Sequence, residues 1–173
     1  MELILFYIAA TVSLVSTTTV ITRTNATHAL IYLIVSLLAI AVIFYLLGAP
    51  FAAALEVVIY AGAIMVLFLF VVMMLDMGSE SIAQERRWLD PHGWIGPGIL
   101  TFVLLLEMLY IIAGSGLQSS GVAVPPKAVG IKLFGPYLLA VELASILLLA
   151  ALVGAYHLGR RYMRARREEE ADS

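Results

Sequence analysis

Long apolar runs separated by short polar stretches dominate the chain, and each run is long enough to cross a bilayer. The hydrocarbon core of a membrane is about 30 Å thick, which a helix of about 20 apolar residues spans. We predict five transmembrane helices: Leu3 to Ile21, Ala26 to Leu47, Phe51 to Leu75, Trp94 to Ala113 and Gly135 to Leu158. The expected fold class is therefore an all-α integral membrane protein, and a soluble enzyme is excluded.

Turn-forming residues occur between these predicted helices. Gly48-Ala49-Pro50 is expected to end the second helix and begin the third, because Gly favours the position after a helix and Pro the first turn of the next. Pro97 and Pro136 are expected in the first turns of the fourth and fifth helices, where a missing N–H costs little. The longer connections, residues 76–93 and 114–134, are predicted to be loops.

Threonines make the end of the first predicted helix its least apolar part. Thr17, Thr18 and Thr19 follow one another there. Threonine hydroxyls can bond back to carbonyl groups of their own helix, so this run is tolerated inside a membrane.

Composition excludes several kinds of chemistry. Of the 173 residues, 62% are hydrophobic and 13% charged, whereas soluble domains carry about 25% charged residues. Cysteine is absent, which excludes disulfides, iron–sulfur ligation and a cysteine nucleophile in this chain. His28, His92 and His157 are far apart in sequence, so we expect no metal site. No nucleotide-binding motif or nucleic-acid-binding pattern occurs.

Lys and Arg are unequally distributed between the two sides of the predicted bundle. Lys127 and Lys132 fall on one side, and the other side receives eight arginines: Arg23, Arg86, Arg87, Arg160, Arg161, Arg164, Arg166 and Arg167. Because basic segments stay in the cytoplasm, we predict a periplasmic N-terminus and a cytoplasmic C-terminus. Residues 1–159 form the predicted transmembrane domain, and residues 160–173 a charged cytoplasmic tail. No basic region precedes the first helix, so we expect it to be retained rather than cleaved as a signal.

Three carboxyl groups lie inside predicted helices: Glu56, Glu107 and Glu142. An ionisable group at membrane depth costs a few kcal/mol or more, and it suggests a proton or ion pathway. Glu56 lies about one turn into its helix and could instead reach headgroups or water. Glu107 has only apolar neighbours in sequence, and a bond to a partner chain is the alternative for it. Glu142 is followed at i+3 by Ser145.

The third predicted helix contains a stripe of small residues. Ala54, Ala61, Gly62 and Ala63 are expected to allow close approach to neighbouring helices. Gly62 weakens the backbone at mid-helix, because Gly costs up to about 1 kcal/mol relative to Ala there. Glu56 and Tyr60 are four residues apart and share a face. A buried, tightly packed helix without any moving part explains the same pattern.

Three stretches resemble one known family: LEVVIYAGAIMVLF over residues 55–68, NATHALIYL over 25–33, and KAVG, LFGPY and AVELAS between 127 and 145. Together they are similar to chain J of bacterial NADH-quinone oxidoreductase (respiratory complex I), a family equivalent to the mitochondrial-encoded subunit 6. The resemblance extends from the N-terminus to about Gly159. Glu56 and Glu142 match the family pattern, whereas Glu107 matches no motif of the family.

The resemblance implies a membrane-arm subunit of a proton-pumping enzyme in the bacterial cytoplasmic membrane. Other membrane-arm subunits would be its partners, and FMN, iron–sulfur clusters and quinone would be held by other chains. The family's third helix carries a π-bulge, which here matches residues 60–65, and it is thought to rotate during turnover. The resemblance therefore implies a coupling or proton-path role for five residues: Glu56, Tyr60, Gly62, Met65 and Glu142.

Two other functions fit the residues alone. A stand-alone or oligomeric proton or cation carrier would use Glu56 and Glu142, but such carriers often show inverted repeats, and none is visible here. A purely structural membrane scaffold differs from the coupling subunit only in whether the third helix moves.

Overall fold

The computed structural model describes residues 2–23, 26–75, 91–113 and 123–171, and the regular elements in these ranges are all helical. They are α1 (Glu2–Thr22), α2 (Ala26–Leu46), α3 (Pro50–Leu55), a π-helical segment (Glu56–Ile64), α4 (Met65–Leu75), α5 (Pro91–Ala113), α6 (Pro126–Leu133) and α7 (Leu138–Ala171). The elements α3, the π-helical segment and α4 follow one another without a break, and together they are called the third span.

Five helices in the described ranges are long and apolar enough to cross a membrane. Their bounds are Glu2–Thr22, Ala26–Leu46, Pro50–Val72, Trp94–Ala113 and Leu138–Arg160. Each overlaps one predicted segment, so the prediction of an all-α chain with five helices of spanning length is confirmed. The orientation of the termini and the boundary between residues 159 and 160 stay predictions.

Three details of the predicted connections are wrong. The helix α5 begins at Pro91 and not near Pro97. Pro97 therefore lies inside the helix, and because proline has no N–H it donates no backbone hydrogen bond there. Part of the predicted loop over residues 114–134 is α6, which Pro126 opens with a backbone angle already suited to a helix. Pro136 lies in the turn before α7, in which the amide of Tyr137 donates to the carbonyl of Lys132 at 3.1 Å.

The described chain divides into two compact units. The first covers Met1–Pro125 and contains α1 to α5, and the second covers Pro126–Ser173 and contains α6 and α7. In the second unit, α7 has 34 residues, which corresponds to a length of about 51 Å. It exceeds the thickness of the hydrocarbon core by about 20 Å.

The helix α2 is central to the first unit, where it packs against α1, the third span and α5. The core where α1, α2 and α5 meet is formed by Val12, Val35, Ala39 and Leu104. Ala39 is completely buried, and its small side chain permits the close helix approach that is typical of membrane proteins. We call these four residues the apolar layer.

A tight turn joins α2 to the third span, as the sequence Gly48-Ala49-Pro50 predicts. Gly48 has a φ of 81°, in the left-handed region that favours glycine after a helix. The amide of Gly48 donates to the carbonyl of Tyr45 at 3.0 Å, and the amide of Val124 donates to the carbonyl of Gly48 at 2.9 Å. The turn therefore satisfies its own backbone groups and also holds the segment that precedes α6.

Candidate functional site

The third span changes its hydrogen-bond pattern midway. The amide of Glu56 bonds to the carbonyls of Ala52 and Ala53, four and three residues earlier. At the other end of the π-helical segment, the amide of Met65 bonds to the carbonyls of Gly62 and Tyr60. The bond from Met65 to Tyr60 spans five residues, as in a π-helix, a rare form that is frequent at functional sites. The π-helical segment thus contains three of the predicted site residues, and Met65 follows directly.

Gly62 is in close contact with the backbone inside this segment. A Cβ atom added to Gly62 would lie 3.1 Å from the carbonyl oxygen of Val57, whereas ordinary contacts begin at 3.4 Å. Val57 is five residues earlier, the acceptor position of a π-helix. A side chain at position 62 would therefore disfavour the π-helical form, and glycine removes this conflict.

The side chains of the third span divide into an inner and an outer side. Ala53, Ala61 and Met65 are buried in the first unit, whereas Tyr60 is 51% exposed. Glu56 is half-buried. Of the predicted small-residue stripe, Ala61 is buried and Gly62 half-buried, but Ala54 and Ala63 are exposed. Ala54 and Ala63 therefore do not pack inside the first unit, and close approach of other helices to them stays a prediction.

An apolar cleft of about 530 Å³ lies between α2, the third span and α5. The third span contributes Ala53, Ala54, Val57 and Val58 to its wall. Close packing normally leaves little room for a helix to turn. The cleft provides such room beside the first part of the π-helical segment.

Glu142 belongs to the second unit, whereas the other four predicted coupling residues belong to the first. It lies on α7 and is exposed there. The Ser145 hydroxyl donates to the backbone carbonyl of Glu142 at 2.8 Å. Ser145 therefore supports the helix backbone, and the carboxylate is not its acceptor.

Sequence reasoning underestimated Glu107. This residue of α5 is 5% exposed, so its side chain points into the first unit and not toward a partner chain. Neither carboxyl oxygen has a hydrogen-bond partner among the residues that the structure describes. Its position three residues after Leu104, on the same side of α5, was the signal available in the sequence.

A group of hydroxyl side chains between α1 and α2 was also missed. The Oγ atom of Ser36 lies 2.8 Å from that of Thr17 and 3.3 Å from that of Ser13. Ser16, one turn from Ser13, is completely buried, and its hydroxyl has no partner among the described residues. We call Ser13, Ser16, Thr17 and Ser36 the hydroxyl cluster.

The neighbouring threonines behave as predicted. Thr18 and Thr19 donate back to carbonyl groups of α1 at 2.8 and 2.7 Å. Thr17 differs, because it bonds across to α2.

Polar and aromatic side chains gather where the N-terminal ends of α2 and α5 lie side by side. The guanidinium carbon of Arg23 lies 5.7 Å from the ring centroid of Tyr32, within cation–π range. The rings of His28 and Trp94 are 6.1 Å apart in an edge-to-face arrangement. The hydroxyl of Tyr32 packs directly against Gly96. We call this part of the first unit the Arg23 end.

No metal centre is formed by the described residues, since they contain no group of three or more acidic or histidine side chains that could hold an ion. The polar side chains inside the first unit supply carboxyl, hydroxyl, phenol and imidazole groups. Such groups can bind, orient and pass protons.

Comparison with known proteins identifies related chains. Residues 16–158 match the model of the family described as NADH-ubiquinone/plastoquinone oxidoreductase chain 6. A Pseudomonas aeruginosa protein named NADH-quinone oxidoreductase subunit J is 60% identical over 158 residues, which cover 90% of this chain and 95% of that protein. Proteins of the same name are 58% identical over 156 residues in Escherichia coli, with 90% and 85% covered, and 51% identical over 156 residues in Buchnera aphidicola from Schizaphis graminum, with 90% and 96% covered.

Proposed function

This chain belongs to the family of chain 6 of the NADH-ubiquinone/plastoquinone oxidoreductases, and we propose that it is a membrane-arm subunit that couples quinone reduction to proton translocation. The relatives that cover nine-tenths of it are named as subunit J of the NADH-quinone oxidoreductase. In this proposal the third span is the moving part. The chain holds no redox cofactor itself, and FMN, iron–sulfur clusters and quinone are bound by other subunits.

The observation that carries the proposal is the π-helical segment at Glu56–Ile64. A π-helix is less stable than a regular helix and is retained mainly where function requires it. Conversion to a regular helix would change the acceptor of each amide and turn the residues beyond it. Gly62 keeps the π-helical form free of a clash with Val57, and the apolar cleft leaves space beside Val57 and Val58.

The proposed coupling residues have different tasks. Gly62 and Met65 lie at the part of the helix whose bonds change, and they permit the rotation. Tyr60 is half-exposed, so rotation would move its phenol group between environments. Glu56 and Glu142 are the proton-exchanging groups of the proposal, because carboxyl groups at membrane depth mark proton pathways.

The setting of the subunit follows from the same proposal. Its neighbours are other membrane-arm subunits and the lipid of a bacterial cytoplasmic membrane. The N-terminus is periplasmic and the C-terminus cytoplasmic. Residues 1–159 form the membrane domain, and the tail of residues 160–173 attracts anionic lipid headgroups through its arginines.

The decisive variant is Gly62→Leu in the assembled enzyme. The larger side chain should prevent the rotation, so NADH-driven quinone reduction and proton pumping fall while NADH oxidation by a hydrophilic artificial acceptor persists. Gly98→Leu is the matched control, because an added Cβ at Gly98 meets nothing within 4 Å. Full coupled activity in an assembled Gly62→Leu enzyme would leave a static scaffold as the better description.

Assembly is tested separately. A tagged copy of the chain in mildly solubilised membranes should migrate on a native gel with a large band that stains for NADH dehydrogenase activity. Migration alone, or as a small oligomer without that activity, would contradict the proposed membership in the enzyme. Ion flux in liposomes would then test the carrier function.

A further inference from the structure

The buried carboxyl group of Glu107 is not explained by the third span or by family resemblance. Burial without a hydrogen-bond partner is unfavourable for a polar group in proteins, and more so for a charge. Glu107 is 5% exposed and unpartnered among the described residues. A leucine at this position would fit the apolar surroundings at lower cost, so stability does not account for a glutamate here.

Other polar groups of the first unit line up from one end of the helices toward Glu107. Tyr45 and Ile111 line one small pocket together with Glu2, so the C-terminal ends of α2 and α5 lie beside the N-terminus of α1. The opposite end of the same helices is the Arg23 end. From there, α2 presents His28, Tyr32 and Ser36, each four residues after the last, and all three are buried. At this spacing the three side chains lie on one face of α2.

The hydroxyl cluster continues this line of polar groups, and the apolar layer ends it. Val12 of α1 and Leu104 of α5 belong to the apolar layer. Ser13 follows Val12 and lies on the side of the layer that faces the Arg23 end. Glu107 follows Leu104 by three residues and lies on the opposite side of the layer. The hydroxyl cluster and Glu107 therefore lie on opposite sides of the apolar layer along the bundle axis.

We propose that Glu107 is a proton-binding site inside the first unit, loaded from the Arg23 end through Tyr32 and the hydroxyl cluster. A proton enters a chain of hydroxyl groups and transient water, each oxygen accepting one proton and releasing another, and it ends on a carboxylate oxygen of Glu107. The product is a neutral carboxylic acid, and no electron or heavy atom is transferred. Water must cross the apolar layer to reach Glu107, and this crossing therefore limits the rate of proton exchange.

Other titratable groups on the helices packed against α5 lie toward the two ends of the unit. At the Arg23 end they are His28 and Tyr32, and toward the opposite end they are Glu2, Tyr7 and Tyr45. Across the apolar cleft from α5, the third span adds Glu56 and Tyr60. Among the described residues, Glu107 is the carboxyl group that is fully buried. The inference is independent of rotation in the third span.

Infrared difference spectroscopy on the assembled enzyme tests the proposal directly. A protonated carboxyl group has its own carbonyl stretching band, which shifts when the proton is replaced by deuterium. We expect such a band in the native enzyme, its loss in Glu107→Gln, and a displaced band in Glu107→Asp. In proteoliposomes containing a pH-sensitive dye, Glu107→Gln should lower the protons moved per NADH, and Glu107→Asp should retain part of the native value.

Two adjacent threonines provide a matched pair for the path. Thr17→Val removes a hydroxyl of the cluster, whereas Thr18→Val removes one that only bonds back to Leu14 on α1. After transfer to heavy water, deuterium should reach Glu107 more slowly in Thr17→Val and at the native rate in Thr18→Val. Equal rates in both variants would refute the path.

Normal pumping in Glu107→Gln, with an unchanged spectrum, would refute the site. If pumping and the spectrum are unchanged in Glu107→Gln and Glu107→Leu is also more stable to heat, then Glu107 is a buried group that does not take part in proton transfer. Because Gly62→Leu tests the third span separately, a failure here is distinguishable from a failure of the proposed function.

Discussion

The contact between Gly62 and Val57 predicts how a single methyl group would change the third span. In Gly62→Ala the new Cβ would lie 3.1 Å from the Val57 carbonyl oxygen, and backbone would have to move by a few tenths of an ångström. The obstacle is backbone, not the flexible end of a side chain. A regular helix avoids the conflict, because the amide of residue 62 then bonds to residue 58.

The size of this effect follows from one overpacked methyl group. Overpacking in a close-packed interior typically costs about 1–3 kcal/mol, and the small overlap here corresponds to the lower end, about 1 kcal/mol. That cost applies to the π-helical form alone. A difference of about 1 kcal/mol changes an equilibrium about fivefold, so the ratio of π-helical to regular helix in Gly62→Ala should fall by about this factor.

Electron cryomicroscopy of the purified enzyme measures the two helix forms as separate particle classes. Gly62→Ala should increase the class with regular bonds over Glu56–Ile64, and Gly62→Val should increase it further. Gly98→Ala is the control, since its added methyl meets nothing within 4 Å. If neither variant at position 62 changes the classes or the coupled rate, then the contact with Val57 does not set the form of the helix.

Two further predictions concern packing and orientation. In Gly96→Ala the new methyl would overlap the hydroxyl of Tyr32, which is buried. We expect a loss of about 1–3 kcal/mol, seen as a lower midpoint of heat inactivation. Tyr32→Phe should restore much of that loss, and an unchanged midpoint in Gly96→Ala would contradict the packing. For orientation, an impermeant thiol reagent added to intact cells should label Lys127→Cys and not Arg164→Cys, and labelling at position 164 would reverse the predicted topology.

The spanning helices were predictable because the bilayer imposes a length and a composition that few other structures share. The helix α6 was not, since the glycines and serines of residues 114–134 and the pair Pro125-Pro126 suggest a loop. Pro97 misled the prediction of the start of α5, because proline marks a first turn only when no earlier residue opens the helix. Pro91, six residues before it, does so.

The candidate site was predictable only where its residues are unusual for a membrane helix. Gly62 stands out as a glycine in the middle of a predicted membrane helix, but its close contact with the Val57 carbonyl is visible only in the fold. Thr17 and Thr18 are indistinguishable in sequence, and only the position of α2 decides which of them bonds across. Glu107 appears isolated in the sequence, and its relation to the hydroxyl cluster depends on three helices meeting.

The left-handed turn at Gly48 has a consequence for how the protein is made. Only residues 47–49 separate α2 from the third span, so the two helices must lie antiparallel once both are in the bilayer. A turn of three residues is too short to cross the bilayer. If one helix were inserted in the opposite orientation, the other would have to be inverted with it. The translocon should therefore release residues 26–72 into lipid as one hairpin, and a larger side chain at Gly48 should lower the yield of inserted chain before it affects any finished enzyme.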